Sequence, residues 1–133
     1  MLTIYVDGAA RPNPGKGGIG IVIRGDGWDY TISEPLEGKT TNNQAEYKAI
    51  CRAFNELYMN ELESEKITVL SDSELLVEQL NKRREVDKGG KYVEDYSKAK
   101  KWLKVFSHTK IEWISREKND EANLLASRAV GGR

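Results

Sequence analysis

Ile4–Lys16 reads IYVDGAARPNPGK, and the first half of that stretch decides the fold. Leu2, Ile4 and Val6 alternate with Thr3, Tyr5 and Asp7, the period-two pattern of a half-buried strand over residues 2–7. Asp7-Gly8 then breaks the pattern, and Pro12 and Pro14 predict a loop. An acidic side chain at the end of an apolar strand invites partners, because sites in open α/β sheets form beyond the carboxyl ends of strands. Three polar clusters downstream are candidates: Thr41-Asn42-Asn43-Gln44-Ala45-Glu46, Ser71-Asp72-Ser73, and the segment from Arg116 to Ala126.

Working outward, residues 18–24 predict a second strand, with glycines that suggest close backbone approach. Gly25-Asp26-Gly27 is a hairpin signal into a third strand through Trp28, Tyr30 and Ile32. Thr41–Asn60 predicts a helix, with Thr41 and Gln44 as a capping box. Its buried stripe is Ala45, Ala49, Ile50, Ala53, Phe54 and Leu57, and Glu46 falls inside it. A carboxylate there is costly unless it meets a cation or donors, so it is expected to point past the sheet edge into a site. Residues 66–70 predict a fourth strand ending at Asp72, with Ser71 and Glu74 capping the next helix. After a break at Lys88–Lys91 come a helix from Tyr92 to Phe106, a strand Ile111–Ile114, and a last helix capped by Asn119. The order is βββαβααβα, a mixed α/β fold in one domain spanning 1–133.

Lysine plus arginine number 21 and aspartate plus glutamate 21, so the formal net charge is zero, which argues against a strongly basic nucleic-acid binder though not against nucleic acid altogether. Acids gathered into one site leave the remaining surface basic by the same amount, and the 82–104 region (Lys82, Arg83, Arg84, Lys88 and further lysines) is where that excess is expected. One cysteine, Cys51, and one histidine, His108, leave no soft metal site. Asp7, Glu46 and Asp72 instead suit a hard divalent cation, magnesium or manganese. No apolar run reaches the ~20 residues of a membrane span, and a reducing cytoplasmic location is expected. Pro14-Gly15-Lys16-Gly17 lacks the leading glycine and the Ser or Thr of a phosphate loop. Trp28, Trp102 and Trp113 are expected in core or sheet packing, and His108 at a surface turn.

D-G-A at 7–9, T-N-N-x-A-E at 41–46, S-D-S at 71–73 and R-E-x-N-x-x-A at 116–122, in this order over nearly the whole chain, closely resemble ribonuclease H of type 1 in its single-domain prokaryotic form. The resemblance implies a five-stranded mixed sheet of the ribonuclease H-like fold. It implies hydrolysis of the RNA strand of RNA/DNA hybrids, leaving 5′-phosphate and 3′-hydroxyl ends, with two Mg²⁺ (or Mn²⁺) held about 4 Å apart. Asp7 would bridge both ions, and Glu46 and Asp72 would hold the one on the leaving-group side. The fourth ligand, expected as an aspartate after an alanine in the last helix, is Asn123. The amide is expected to weaken the nucleophile-side ion. A deliberate Asp→Asn exchange or a natural variant of low activity would both give this sequence, and Asp120 is a poor geometric substitute.

The same resemblance places substrate contacts at Gly8, Ala9 and Asn13 after Asp7, at Thr41, Asn42 and Asn43, and at Ser73 and Glu74. Reading of the 2′-hydroxyl distinguishes RNA from DNA, and phosphate contacts add little sequence preference. Glu117 stands approximately where relatives place a residue that assists product release. The basic handle that some relatives insert between the middle helices looks reduced or missing at Lys82–Lys91. A monomer is expected. The competing expectations are a non-catalytic hybrid-binding domain, and a related nuclease acting on RNA–DNA junctions or double-stranded RNA.

Overall fold

In the computed structural model, residues 1–131 are described. The chain opens with strands β1 (Leu2–Arg11), β2 (Gly15–Gly25) and β3 (Trp28–Thr40), followed by helix α1 (Asn42–Met59) and strand β4 (Ile67–Ser71). Helices α2 (Glu74–Leu80) and α3 (Val93–Val105), strand β5 (Thr109–Trp113), a 3₁₀ turn (Arg116–Asn119) and helix α4 (Asp120–Val130) complete it. The five strands form one sheet in the order β3-β2-β1-β4-β5. β1 and β2, and β2 and β3, pair antiparallel, whereas β4 lies parallel to both β1 and β5. The predicted order and mixed sheet are therefore present, with the 3₁₀ turn added before α4.

Each face of the sheet carries helices. Burial alternates along β1, so Leu2, Ile4, Val6, Gly8 and Ala10 are buried while the residues between are half-covered. The even-numbered face is where α1 lies: a Cβ built on Gly8 would sit 2.3–2.5 Å from the backbone of Ala45 and Glu46. On the opposite face, a Cβ on Gly20 would come within 2.1 Å of the Ala122 carbonyl and 2.6 Å of the Ala126 nitrogen, so α4 rests directly on β2. Both glycines are needed because a helix backbone meets a strand backbone there without intervening side chains.

Several boundaries differ from the sequence expectation, each for a physical reason. β1 runs on to Arg11, because Gly8, Ala9 and Ala10 continue the antiparallel ladder with Ile19, Gly18 and Gly17. Gly8, Ala9 and Ala10 are thus strand residues, not a loop. The cap of α2 is Ser73, whose Oγ accepts from the Leu76 nitrogen at 3.2 Å, while Ser71 ends β4 and accepts from the Ser73 nitrogen. Asn119 makes no side-chain cap; buried, it donates from Nδ2 to the Val6 carbonyl at 2.9 Å and pins the start of α4 to β1. Trp28 and Trp102 pack against the core, but Trp113 is 53% exposed because β5 is an edge strand. His108 is an exposed turn residue, as expected.

The α1 prediction holds in detail. Thr41 Oγ1 accepts from the Gln44 nitrogen at 3.1 Å, and Gln44 Oε1 accepts from the Thr41 nitrogen at 2.8 Å, closing the capping box. The six predicted stripe residues are buried, joined by Tyr47.

Candidate active site

The pairing of β1 with β4 runs from Leu2↔Ile67 to Val6↔Ser71 and stops there. Asp7 and Asp72 each stand one residue past the last pair, where the two strands separate. Asp7 leaves the sheet on the face opposite Gly8, toward the 3₁₀ turn and α4, since successive strand side chains alternate. Glu46, one turn into α1, approaches from the other face. The sheet edge thus brings together acids from two strands and a helix.

Their electrostatics record the proximity. Burial, then the Asp72 and Glu46 carboxylates, push Asp7 up to about 7, while the Gly8 backbone N–H and Arg116 pull it back in part. Burial likewise pushes Glu46 to about 7; a hydrogen bond from Ser73 opposes this and the Asp72 charge adds to it. Glu46 Oε2 and Asp72 Oδ2 are buried without any hydrogen-bond partner. Buried carboxylate oxygens are normally paired, so two orphans at one rim mark a place built for something else.

Asn123, on α4, is half-buried, and its Nδ2 donates to the Arg116 carbonyl at 3.3 Å. That hydrogen bond engages the amide nitrogen and leaves Oδ1 free to accept. Asp120 is exposed and lines a small recess with Tyr5, Arg24 and Lys118, so it does not replace the missing fourth acid. Glu117 is exposed on the 3₁₀ turn. Arg116, read in the sequence only as part of a motif, is the cation whose field reaches Asp7. No spacing rule links positions 7 and 116, so local sequence carries no signal for this pair.

Beside the acids lies a recess of about 620 Å³ lined by Asn13, Thr41, Asn42, Asn43 and Glu46, together with Lys91 and Tyr92. Asn42 ties its walls together: Oδ1 accepts from the Ala10 nitrogen at 2.8 Å, and its own nitrogen donates to Asn13 Oδ1 at 3.0 Å. Five of the residues expected to touch substrate or metal therefore share one recess. Glu74 is exposed on α2, in a separate cleft with Trp113 and Arg83. Gly8 is covered by α1 and Ala9 is half-covered within β1. Ser73 caps α2 and lies near enough to Glu46 to hold its carboxyl pKa down in part.

Among the described residues, no three acidic, histidine or cysteine side chains stand close enough together to hold a metal ion as placed. The donor chemistry nevertheless fits a hard divalent cation. The donors are all oxygens, two of them are buried and unpartnered, and Asp7 and Glu46 are raised to about 7 by burial first and by neighbouring carboxylate charge second, both of which a bound cation would offset.

A mixed sheet in the order β3-β2-β1-β4-β5, helices on both faces and an acidic rim beside β1 and β4 define the ribonuclease H class of fold. Comparison with known proteins agrees. The family described as reverse transcriptase-like matches residues 5–129. The protein named "Putative hydrolase EbsB" of Enterococcus faecalis is 33% identical over 98% of this chain and 94% of its own length. Ribonuclease HI of Halobacterium salinarum is 32% identical over 95% of this chain and 62% of its own length. The chain spans 35% of the length of mycobacterial relatives 31% identical to it, such as the bifunctional protein Rv2228c of Mycobacterium tuberculosis. The crystal structure of LC11-RNase H1 in complex with RNA/DNA hybrid superposes with a TM-score of 0.90 at 34% identity, over 98% of this chain and 97% of that one. This chain belongs to the reverse transcriptase-like family and has the fold of its type 1 ribonuclease H members.

Proposed function

We propose that this chain is a metal-dependent ribonuclease H that hydrolyses the RNA strand of RNA/DNA hybrids. The observation that carries the reading is the pair of orphaned oxygens, Glu46 Oε2 and Asp72 Oδ2, beside an Asp7 carboxyl raised to about 7 at the same rim. Family membership and the likeness to a hybrid-bound ribonuclease H1 support the substrate class.

Asp7, Glu46 and Asp72 would hold Mg²⁺, with Mn²⁺ able to replace it, and Asn123 would offer its amide oxygen. Bound there, the ions would activate a water molecule and stabilise the departing 3′ oxygen. The chain's own contribution is placement. The recess at Thr41–Asn43 lies one turn before Glu46 on α1, so a backbone phosphate seated there fixes the distance from the duplex to the acids. Arg116 supplies a positive charge on the Asp7 side, where a phosphodiester would otherwise meet only carboxylates. The half-buried rim excludes part of the bulk solvent, which strengthens these interactions. With an amide at 123, turnover is expected to be weak. A single domain, a monomeric state and a cytoplasmic location go with this reading; among the described residues no helix is long and apolar enough to cross a membrane.

Asn123 itself favours a second reading, a domain that binds hybrids without cutting them. Incubation of a labelled hybrid, a double-stranded RNA and an RNA–DNA junction with Mg²⁺ or Mn²⁺ separates the possibilities. Cleavage confined to the hybrid's RNA strand, by this chain or by its Asn123→Asp form, is the expected result. Hybrid binding without cleavage by either form sinks the enzyme and leaves the binding domain.

A further inference from the structure

The segment from Asn81 to Tyr92, between α2 and α3, has no helix or strand, and it carries Lys82, Arg83, Arg84, Lys88 and Lys91. An irregular, highly charged connection of this kind is ordinarily free to move over the surface. Here it is fastened from beneath. Gln79, near the end of α2, is 1% exposed, an unusual place for an amide among apolar neighbours. Each side of the amide is engaged. Its Oε1 accepts from the Tyr47 hydroxyl of α1 at 2.7 Å. Its Nε2 donates to the Tyr92 hydroxyl at 2.8 Å and to the Glu85 carbonyl, midway along the connection, at 3.3 Å.

The aromatic rings repeat the link. Tyr47 and Tyr92 stack with centroids 5.6 Å apart and planes 2° from parallel, and Tyr96 meets Tyr47 edge-on at 5.8 Å. Burial pushes the Tyr47 hydroxyl well above its ordinary pKa, so it stays a neutral donor. A second amide closes the far end: Gln44, whose Oε1 completes the α1 capping box, donates from Nε2 to the Lys91 carbonyl at 3.0 Å. The connection is therefore tied, at its middle through Gln79 and at its end through Gln44, to the helix that Thr41 caps and that carries Asn43 and Glu46.

We propose that Gln79 is a positioning residue for nucleic acid: through Tyr47, Tyr92 and Glu85 it fixes the cations of the 81–92 connection relative to the acidic rim. The inference rests on the proposed function, because it assumes a duplex lying across α1. Fixed cations neutralise phosphates in register with the site, whereas the same cations on a loose connection lose that register. A merely structural amide would affect stability alone. A positioning amide would also change binding and its salt dependence, since each phosphate neutralised contributes to the slope of log affinity against log salt.

The test uses full-length chain and a labelled RNA/DNA hybrid in Ca²⁺, with binding followed by anisotropy between about 50 and 200 mM salt. Tyr92→Phe keeps the ring stack and removes one hydrogen bond; Gln79→Met removes all three and keeps the volume. Near-ultraviolet circular dichroism checks that both fold. The expected result is affinity weakened about fivefold by Tyr92→Phe and about tenfold by Gln79→Met at low salt, with a salt slope lower by about 1. In the Asn123→Asp background the loss should fall in KM, with kcat at saturating hybrid changed less than about twofold. Unchanged affinity and slope in a folded Gln79→Met chain overturn the inference while leaving the proposed function intact. A parent chain that binds no hybrid overturns both. If Gln79→Met does not fold, Tyr92→Phe decides on the same two readouts.

Discussion

The two halves of the site are built on opposite principles. On the side formed by β1, β4 and α1, carboxylates crowd together, two oxygens lack partners, and Asp7 and Glu46 are raised to about 7. On the side formed by the 3₁₀ turn and α4, amides take over: Asn119 donates to the Val6 carbonyl and Asn123 to the Arg116 carbonyl. The first half is held by the fold in an arrangement it would not choose without a ligand. In the second half the two amides bond to backbone carbonyls through their nitrogens, and Arg116 supplies the positive charge that acts on Asp7. On the proposed reading, the contrast places the oxygens available to a cation at the ends of β1 and β4 and the start of α1, while Asn119 ties the start of α4 to β1.

The strongest way to break this contrast is to neutralise the acidic half. Asp7→Asn is expected to lower hybrid cleavage by about 10³-fold, measured as kcat with Mg²⁺ on a labelled hybrid. A loss no greater than that of Asn123→Ala would mean the two halves are equivalent. Next in size is the reverse change. Asn123→Asp is expected to raise cleavage by at least ~10²-fold, because a charged ligand at a preorganised site is worth about 3 kcal/mol or more.

Two further experiments sharpen the contrast through stability. Asp7 and Glu46 have ordinary values of 3.8 and 4.5 and rise to about 7 on folding, so between about pH 4 and 7 the folded chain holds protons that the unfolded chain has lost. The metal-free protein should therefore lose stability as pH rises through that window, the two shifts together setting an upper limit of roughly 8 kcal/mol. Thermal melts at pH 5 and 8 in chelator check this. Added Mg²⁺ should raise the melting temperature more at pH 8 than at pH 5, since cation and protons compete. A flat profile in Asp7→Asn, Glu46→Gln would assign the dependence to these acids; an unchanged profile would remove them from the account. The smallest effect is expected in the amide half. Asn119→Ala leaves the buried Val6 carbonyl without its donor and should cost about 1–3 kcal/mol in denaturant unfolding, with no pH dependence between 5 and 8.

How much of this was legible in the residues follows from how local each interaction is. The β1 alternation, the Thr41–Gln44 capping box and the apolar stripe of α1 depend on neighbours within a few positions, and each stands where the sequence puts it. Glu46 inside that stripe was readable as a misfit for the same reason. Strand length was less readable: Gly8, Ala9 and Ala10 have too little side chain to show alternation, yet their backbone pairs with Gly18 and its neighbours. Ser71 and Ser73 both satisfy the same local capping rule, and only the end of β4 separates them.

The sequence by itself determined the order of elements, the mixed sheet, and three acids at element ends with an amide where a fourth acid was expected. Apart from the expected fourth acid, which rests on the resemblance to type 1 ribonuclease H, those features follow from periodicity, capping and side-chain type, which act over a turn or two of chain. Tertiary structure alone decided that Asp7 and Asp72 sit one residue past a shared ladder, that Arg116 lies in Asp7's field, that Asn119 braces β1, and that Gln79 fastens the basic connection to α1. Each of these joins residues far apart in the chain. Their meeting depends on strand register and helix placement, which packing fixes and local sequence does not encode.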